Sequence, residues 1–135
     1  MILLDKVLAF DDAALIANVT ITQSSLFLEP EGVPGYVAIE YMAQACGAYA
    51  GAQALEAGEP VKVGYLLGTR LCRVLVPWFR IGDHLMVTAS IVMRDDGLAA
   101  FDCRVEIDGH LAADAQLKVY QPDNDQLPLD RRDER

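Results

Sequence analysis

The sequence predicts an α+β domain in which a curved antiparallel sheet wraps one long central helix, and three observations predict it. Residues Gly32 to Glu56, GVPGYVAIEYMAQACGAYAGAQALE, are Ala-rich, apolar on nearly every side and closed by Gly58 and Pro60, so they read as a helix that other elements must cover. From Leu85 to Val119, three runs alternate apolar and polar residues and are linked by Asp95-Asp96-Gly97 and Asp108-Gly109, the pattern of a meander with tight turns. Two further β-rich runs precede the helix. One helix among runs of strands points to α+β rather than to alternating α/β units.

Taken in order, Ile2 to Phe10 reads as a strand, Asp11-Asp12 as a break, and Leu15 to Thr22 as a second strand with Ala17, Val19 and Ile21 on one side. Gln23 to Glu31 is a turn-rich loop whose Leu26, Phe27 and Leu28 fold back on the core or on a partner. Pro34 suits the first turn of the helix, where a missing N–H costs nothing. Val61 to Val76 is extended, with interruptions at Gly64 and Gly68, and Pro77 to Asp83 bends the chain. In the three last strands the apolar faces are Leu85, Val87, Ala89, Ile91, Met93; then Ala99, Phe101, Cys103, Val105, Ile107; then Leu111, Ala113, Ala115, Leu117, Val119. Asp102, Arg104, Glu106, Asp114, Gln116 and Lys118 take the opposite, half-solvated faces. Residues 1–120 form one domain, and 121–135, polar and dense in charge, a mobile tail. Such a sheet leaves an edge strand and part of the helix uncovered, and dimerisation is the expected remedy.

A chain of 135 residues has room for one real core and not two. A net charge of −9 disfavours nucleic acid as the main partner, because phosphate binding rests on a basic surface. Cys46, Cys72 and Cys103 are odd in number and widely spaced, which suggests neither a disulfide framework nor a metal site. Reduced thiols, the absence of an uninterrupted membrane-length apolar run and the lack of a signal-peptide pattern make the expected location cytoplasmic. MILLDKVLAF is strand-like from its first residues, so the chain is expected to begin inside an element that normally has a lead-in.

Glu40 is the one charged side chain from Gly32 to Leu55. A carboxylate in a covered helix needs a reason, since desolvation penalises a lone buried charge. Two reasons stand side by side. Glu40 is an anchored carboxyl paired with Gln44 or a backbone amide, or it is a general acid/base whose proton affinity is raised by its setting.

The order of these elements resembles the hotdog fold. VPGYVAIEYMAQ, Val33 to Gln44, resembles the helix-start motif of β-hydroxyacyl-acyl-carrier-protein dehydratases, M-P-G-x-x-x-x-E-x-M-A-Q. Leu3 to Val7, Gly68 with Arg73, Gly82-Asp83, and Asp108-Gly109 followed by Ala112 to Ala115 are collinear with weaker family patterns. Gly32, Val33, Tyr36, Ile39 and Tyr41 bring the chain closest to a branch associated with aryl-polyene and lipid pathways. The resemblance implies dehydration of a 3-hydroxyacyl chain held as a thioester on phosphopantetheine, with no other cofactor. Glu40 matches the carboxylate that protonates the departing hydroxyl, and Gly35 the glycine whose N–H faces the thioester carbonyl. A helix start, with unpaired N–H groups and positive potential, suits that second role.

One departure is large. The family's histidine register falls on Leu26, which cannot take a proton. His84 and His110 sit beside turns, where histidines are usually just solvated; Tyr36 and Tyr41 could bond substrate or water, although packing is the commoner role for such tyrosines. Candidate pocket residues are Leu26, Tyr36, Ile39, Tyr41, Ala43, Gln44, Leu66, Leu67 and Gly68. Three functions follow: a dehydratase relying on Glu40, a hotdog thioesterase using the same carboxylate on water, or a non-catalytic subunit that binds acyl chains or pairs with an active homologue. The partner is an acyl-carrier protein or acyl-CoA. Lys62, Arg70, Arg73 and Arg80 offer a local basic surface to an acidic carrier, with Arg70 and Arg73 the main candidates. The expected assembly is a homodimer or higher, or a mixed dimer with a homologue.

Overall fold

The apolar run after Pro34 forms the central helix, but only after a preliminary turn. In the computed structural model, which describes residues 2–61 and 64–121, Val33–Pro34 is a short strand (β3), Gly35–Val37 a 3-10 turn, and Ala38–Glu56 the helix α1. Pro34 therefore precedes the helix instead of opening it. Its φ of −55° and ψ of 138° are extended, and β3 pairs with Trp78–Phe79 (β5).

The remaining strands are β1 (Lys6–Phe10), β2 (Ala14–Thr20), β4 (Tyr65–Val74), β6 (His84–Asp95), β7 (Leu98–Ile107) and β8 (His110–Tyr120). They make one sheet in the order β1-β2-β6-β7-β8-β4, with every neighbour antiparallel. The expected first strand begins later than Ile2, at Lys6. Leu3 is buried instead, its N–H donating to Gln44 Oε1 at 2.7 Å, which ties the N-terminal segment to the helix. Gly68 does not break β4, which runs through it with irregular register on either side.

The helix meets the sheet through Ala38, Tyr41, Met42, Ala45, Cys46 and Tyr49, spaced three and four apart as one face of a helix requires. These side chains pack on Leu15, Ala17 and Val19 of β2, Leu85, Val87 and Ala89 of β6, and Phe101, Cys103 and Val105 of β7. The period-two faces hold except at Met93 and at Leu111, where a register shift pairs Leu111 with outward Glu106 and buries Ala112 in its place. Register shifts between Ile91 and Met93, and this bulge turns Met93 outward. Cys46 and Cys103 meet in the core with sulfurs 3.5 Å apart, a contact that spacing could not foresee; that hydrogen bond and burial both push the Cys46 thiol well above its ordinary range.

The helix is not covered on every side. At about 100° per residue, Tyr36, Glu40 and Gly47 fall opposite the buried face, and all three are exposed. The sheet has two edges, β1 and β4, and Leu67 and Leu71 of β4 stand open to solvent. Apart from Gln121, whose N–H bonds Gly97 O, the expected tail lies outside the described residues, as does Lys62.

Gly35 sets where the helix begins. A Cβ there would lie 2.0 Å from Val76 O, so the two backbones meet as only glycine permits. Gly35→Ala is expected to destabilise the fold by about 1–3 kcal/mol through overpacking. At Gly47 an added methyl group would meet nothing within 4 Å, and replacement by Ala should gain up to about 1 kcal/mol. Urea unfolding of both variants checks the contrast; equal effects would contradict it.

Candidate active site

Glu40 lies in the first turn of α1, where a carboxylate is favoured by the helix dipole. Its side chain is exposed, contrary to the buried setting expected from the apolar run around it. The reason is rotational phase: Glu40 follows Tyr36 by four residues, and both point away from the sheet. Tyr36 is 68% exposed. Among the described residues, this face of the helix stays open to solvent.

The Gly35 N–H, expected to face a thioester carbonyl, donates instead to Pro77 O at 2.9 Å. It continues the β3–β5 pairing by one residue. Tyr41, a pocket candidate, is buried and packs edge-on against Phe79 at 6.0 Å between ring centres. Burial, and then the Asp5 carboxylate, push its phenol up to about 12, so it stays neutral near pH 7. Gln44 is occupied with Leu3 rather than free for substrate.

Leu26 is 47% exposed in the loop before β3, and each histidine has a neighbour of its own elsewhere. His84 Nδ1 lies 3.2 Å from Thr20 Oγ1, and His110 Nδ1 lies 3.2 Å from Asp108 O, each at a turn. Ser24 is held by Thr22 within its own loop.

Ala43 and Leu66 do come together. They line a cavity of about 760 Å³ between the flank of α1 and the inner face of the sheet, with Gly47, Ala50, Ile91 and Phe101. Leu67, Gly68, Ile39 and Tyr36 lie outside it. Sequence reasoning missed Arg94, which reaches from β6 to the far end of this cavity. Its only sequence signal was a charge at the end of a strand.

Comparison with known proteins decides the family. A family model described as ApeP dehydratase (ApeP-like) matches residues 1–129. The chain belongs to the ApeP-like dehydratase family. This hotdog protein is also 31% identical over 130 residues to the 3-hydroxyacyl-(acyl-carrier-protein) dehydratase FabZ of Psychrobacter arcticus, spanning 87% of this chain and 84% of that protein. It is 32% identical over 124 residues to FabZ of Halorhodospira halophila, spanning 87% and 80%. A chain of the solved dehydratase heterocomplex ApeI:P from Xenorhabdus doucetiae superposes with a TM-score of 0.86 at 30% identity, covering 93% of this chain and 86% of that one.

Among the described residues of this ApeP-like chain, no group of His, Cys, Asp and Glu side chains could hold a metal ion, and no helix is long and apolar enough to cross a membrane. The arginines proposed for carrier binding differ in their freedom. Arg70 is exposed on β4, whereas Arg73 makes a two-pronged contact with Asp114, Nε to Oδ1 at 3.0 Å and Nη2 to Oδ2 at 2.6 Å. A bulge between Arg70 and Arg73 brings Arg73 opposite Asp114. Leu71, within it, takes a left-handed φ of 52° and is 75% exposed.

The hydrogen bond from Arg73 holds the Asp114 carboxyl below its ordinary 3.8. A carboxylate whose folded value is depressed stabilises the fold above its unfolded value, and that contribution disappears as pH falls through the folded value. Asp114→Asn should therefore lower the melting temperature slightly at neutral pH. The difference should shrink as pH falls below about 3.8, as paired thermal melts across pH would show. A gap that widens in acid would contradict the ion-pair reading.

Proposed function

We propose that this chain dehydrates a 3-hydroxyacyl thioester carried on phosphopantetheine, and that a second subunit completes its active site. The placement of Glu40 carries this reading. It stands on the helix face that the chain's own sheet leaves open, and the sheet itself ends in an edge strand, β4, that lacks a neighbour on its outer side. A group that must act away from water is thus positioned for cover by another chain. Removing water favours the neutral acid, the form that can protonate a departing hydroxyl.

In the reaction the α-proton is taken by a base, the 3-hydroxyl leaves as water with a proton from Glu40, and a double bond forms between the α- and β-carbons. Leu26 cannot be the base, so the base comes from the second subunit. With the Gly35 N–H engaged by Pro77, the thioester carbonyl falls to first-turn N–H groups beyond it, starting at Tyr36. Hydrolysis of the same thioester is the weaker reading, because the family and the FabZ relatives point to dehydration.

Two observations support a homologous partner over a second copy. Two copies would both carry Leu26 and so both lack that base. An antiparallel pairing of β4 with itself would also bring the exposed Arg70 of both copies to one seam, where like charges oppose one another. The related structure described as a heterocomplex is consistent with a mixed pair. Membership of an aryl-polyene-type or other lipid pathway belongs to the same proposal.

The test offers 3-hydroxyacyl-carrier thioesters to the chain alone and co-purified with a homologous dehydratase subunit, following enoyl formation and thiol release. Enoyl product is expected from the mixed pair, with Glu40→Gln in this chain lowering its rate by about 10²–10⁴-fold while the pair still assembles. A full rate with Glu40→Gln, or thiol release without enoyl product, would overturn the assignment. If docking to the acidic carrier is electrostatic, Arg70→Glu with Arg73→Glu should weaken carrier binding and flatten its salt dependence.

A further inference from the structure

The cavity beside α1 has a built end. Its floor is the flank of α1 that carries Ala43, Cys46, Gly47, Ala50 and Ala54, next to the open face on which Glu40 stands. Ile91 and Phe101 form part of the opposite wall. The ten residue steps from Ala43 to Gln53, both on the cavity wall, rise about 15 Å, a length suited to an extended chain rather than to a compact ligand.

At the Gln53 end the apolar floor stops against a polar brace. Arg94 Nη2 donates to Tyr49 Oη at 3.2 Å and to Gln53 Oε1, and the guanidinium carbon lies 5.9 Å from the centre of the Tyr49 ring. Tyr49 Oη in turn donates to Asp12 O, so its hydroxyl is filled both as acceptor and as donor. The brace thus joins β6, the helix and the β1–β2 turn across one end of the cavity. Asp12, Glu56 and Asp96 stand on the same rim. Among the described residues no carboxylate pairs with Arg94, whose hydrogen-bond partners are both neutral.

We infer that Arg94, held by Tyr49 and Gln53, sets the longest acyl chain this site accepts. The inference rests on the acyl-thioester reading above and adds the residue that determines specificity. While the chain grows along the alanine floor, each methylene leaves water, which strengthens binding about fourfold per group. A methyl end that reached the guanidinium would strip water from a charged group and offer no acceptor in exchange, so the gain stops there. Arg94 touches the end of the chain and not the reacting atoms.

Non-reacting acyl-pantetheine amides of increasing length, titrated by calorimetry against the assembled protein, test this. The wild type should gain about fourfold per methylene up to a break and nothing beyond it. Arg94→Ala should move the break to longer chains, leave the shortest chains bound as before and accept longer substrates in turnover. Arg94→Lys, which keeps a charge at the end, should leave the break within one methylene of the wild type. The unchanged affinity for short chains guards against misfolding as an explanation. A break that stays put in Arg94→Ala while enoyl formation is intact overturns this inference alone. Failure of the wild type to bind any chain length overturns it together with the acyl reading.

Discussion

The contact between Gly35 and the Val76–Pro77 backbone governs the rest of the arrangement. Gly35 approaches so closely that a methyl group would collide with Val76 O, and its N–H is fixed to Pro77 O. That contact pins the entry of α1 against the turn between β4 and β5 and so fixes the rotational phase of every residue that follows. Met42, Ala45 and Tyr49 then face the sheet, and Tyr36, Glu40 and Gly47 face away. An entry rotated by one residue would turn each position by about 100° and carry Glu40 off the open face toward the flank of the helix. The glycine of the motif is thereby tied to the carboxylate five residues on by geometry as well as by sequence.

Much of the fold was legible because period and turn chemistry are local. The β6–β7 and β7–β8 links lie at Asp96-Gly97 and Asp108-Gly109, and both the aspartates and the glycines there take positive φ as such turns demand. The extended Pro34 was not legible, since it depends on Trp78, distant in sequence, and the bulge at Met93 was not, since one extra residue within an alternating run leaves no mark on its pattern. The hook from Leu3 to Gln44 and the sulfur contact of Cys46 with Cys103 span 41 and 57 positions and leave no periodic trace.

The candidate site was legible in identity and misread in setting. Glu40 stands out as the one charge in an apolar run, and apolar neighbours along the chain suggest burial in the fold. The helix is apolar on more sides than its own sheet can cover, so the excess lies open together with the edge of β4. Composition reports how much surface must leave water, not which molecule covers it. Exposed Leu67 and Leu71 on an unpaired edge carry the same message from the sheet. Arg94 escaped notice for a related reason, because a charge at a strand end is ordinary until the helix opposite is known.

The small residues of the open helix face admit two uses, and the cavity separates them. Ala and Gly at Ala43, Gly47, Ala50 and Ala54 would let a neighbouring helix come close, or would leave a groove for a narrow apolar chain. Close packing of a second helix along the whole stripe would fill the groove, yet a cavity of about 760 Å³ lies on its flank, between helix and sheet rather than on the outermost crest. The crest, with Tyr36 and Glu40, and the flank, with Ala43 and Ala50, can therefore serve different occupants at once, and Gly47 borders both. A covering subunit on the crest would close the site above Glu40 while the flank remained open to an acyl chain running toward Arg94. Small side chains on both lines are what allow one helix to do both, since a leucine at Ala43 or Ala50 would project into the groove and a bulky residue at Gly47 would hold the second subunit away.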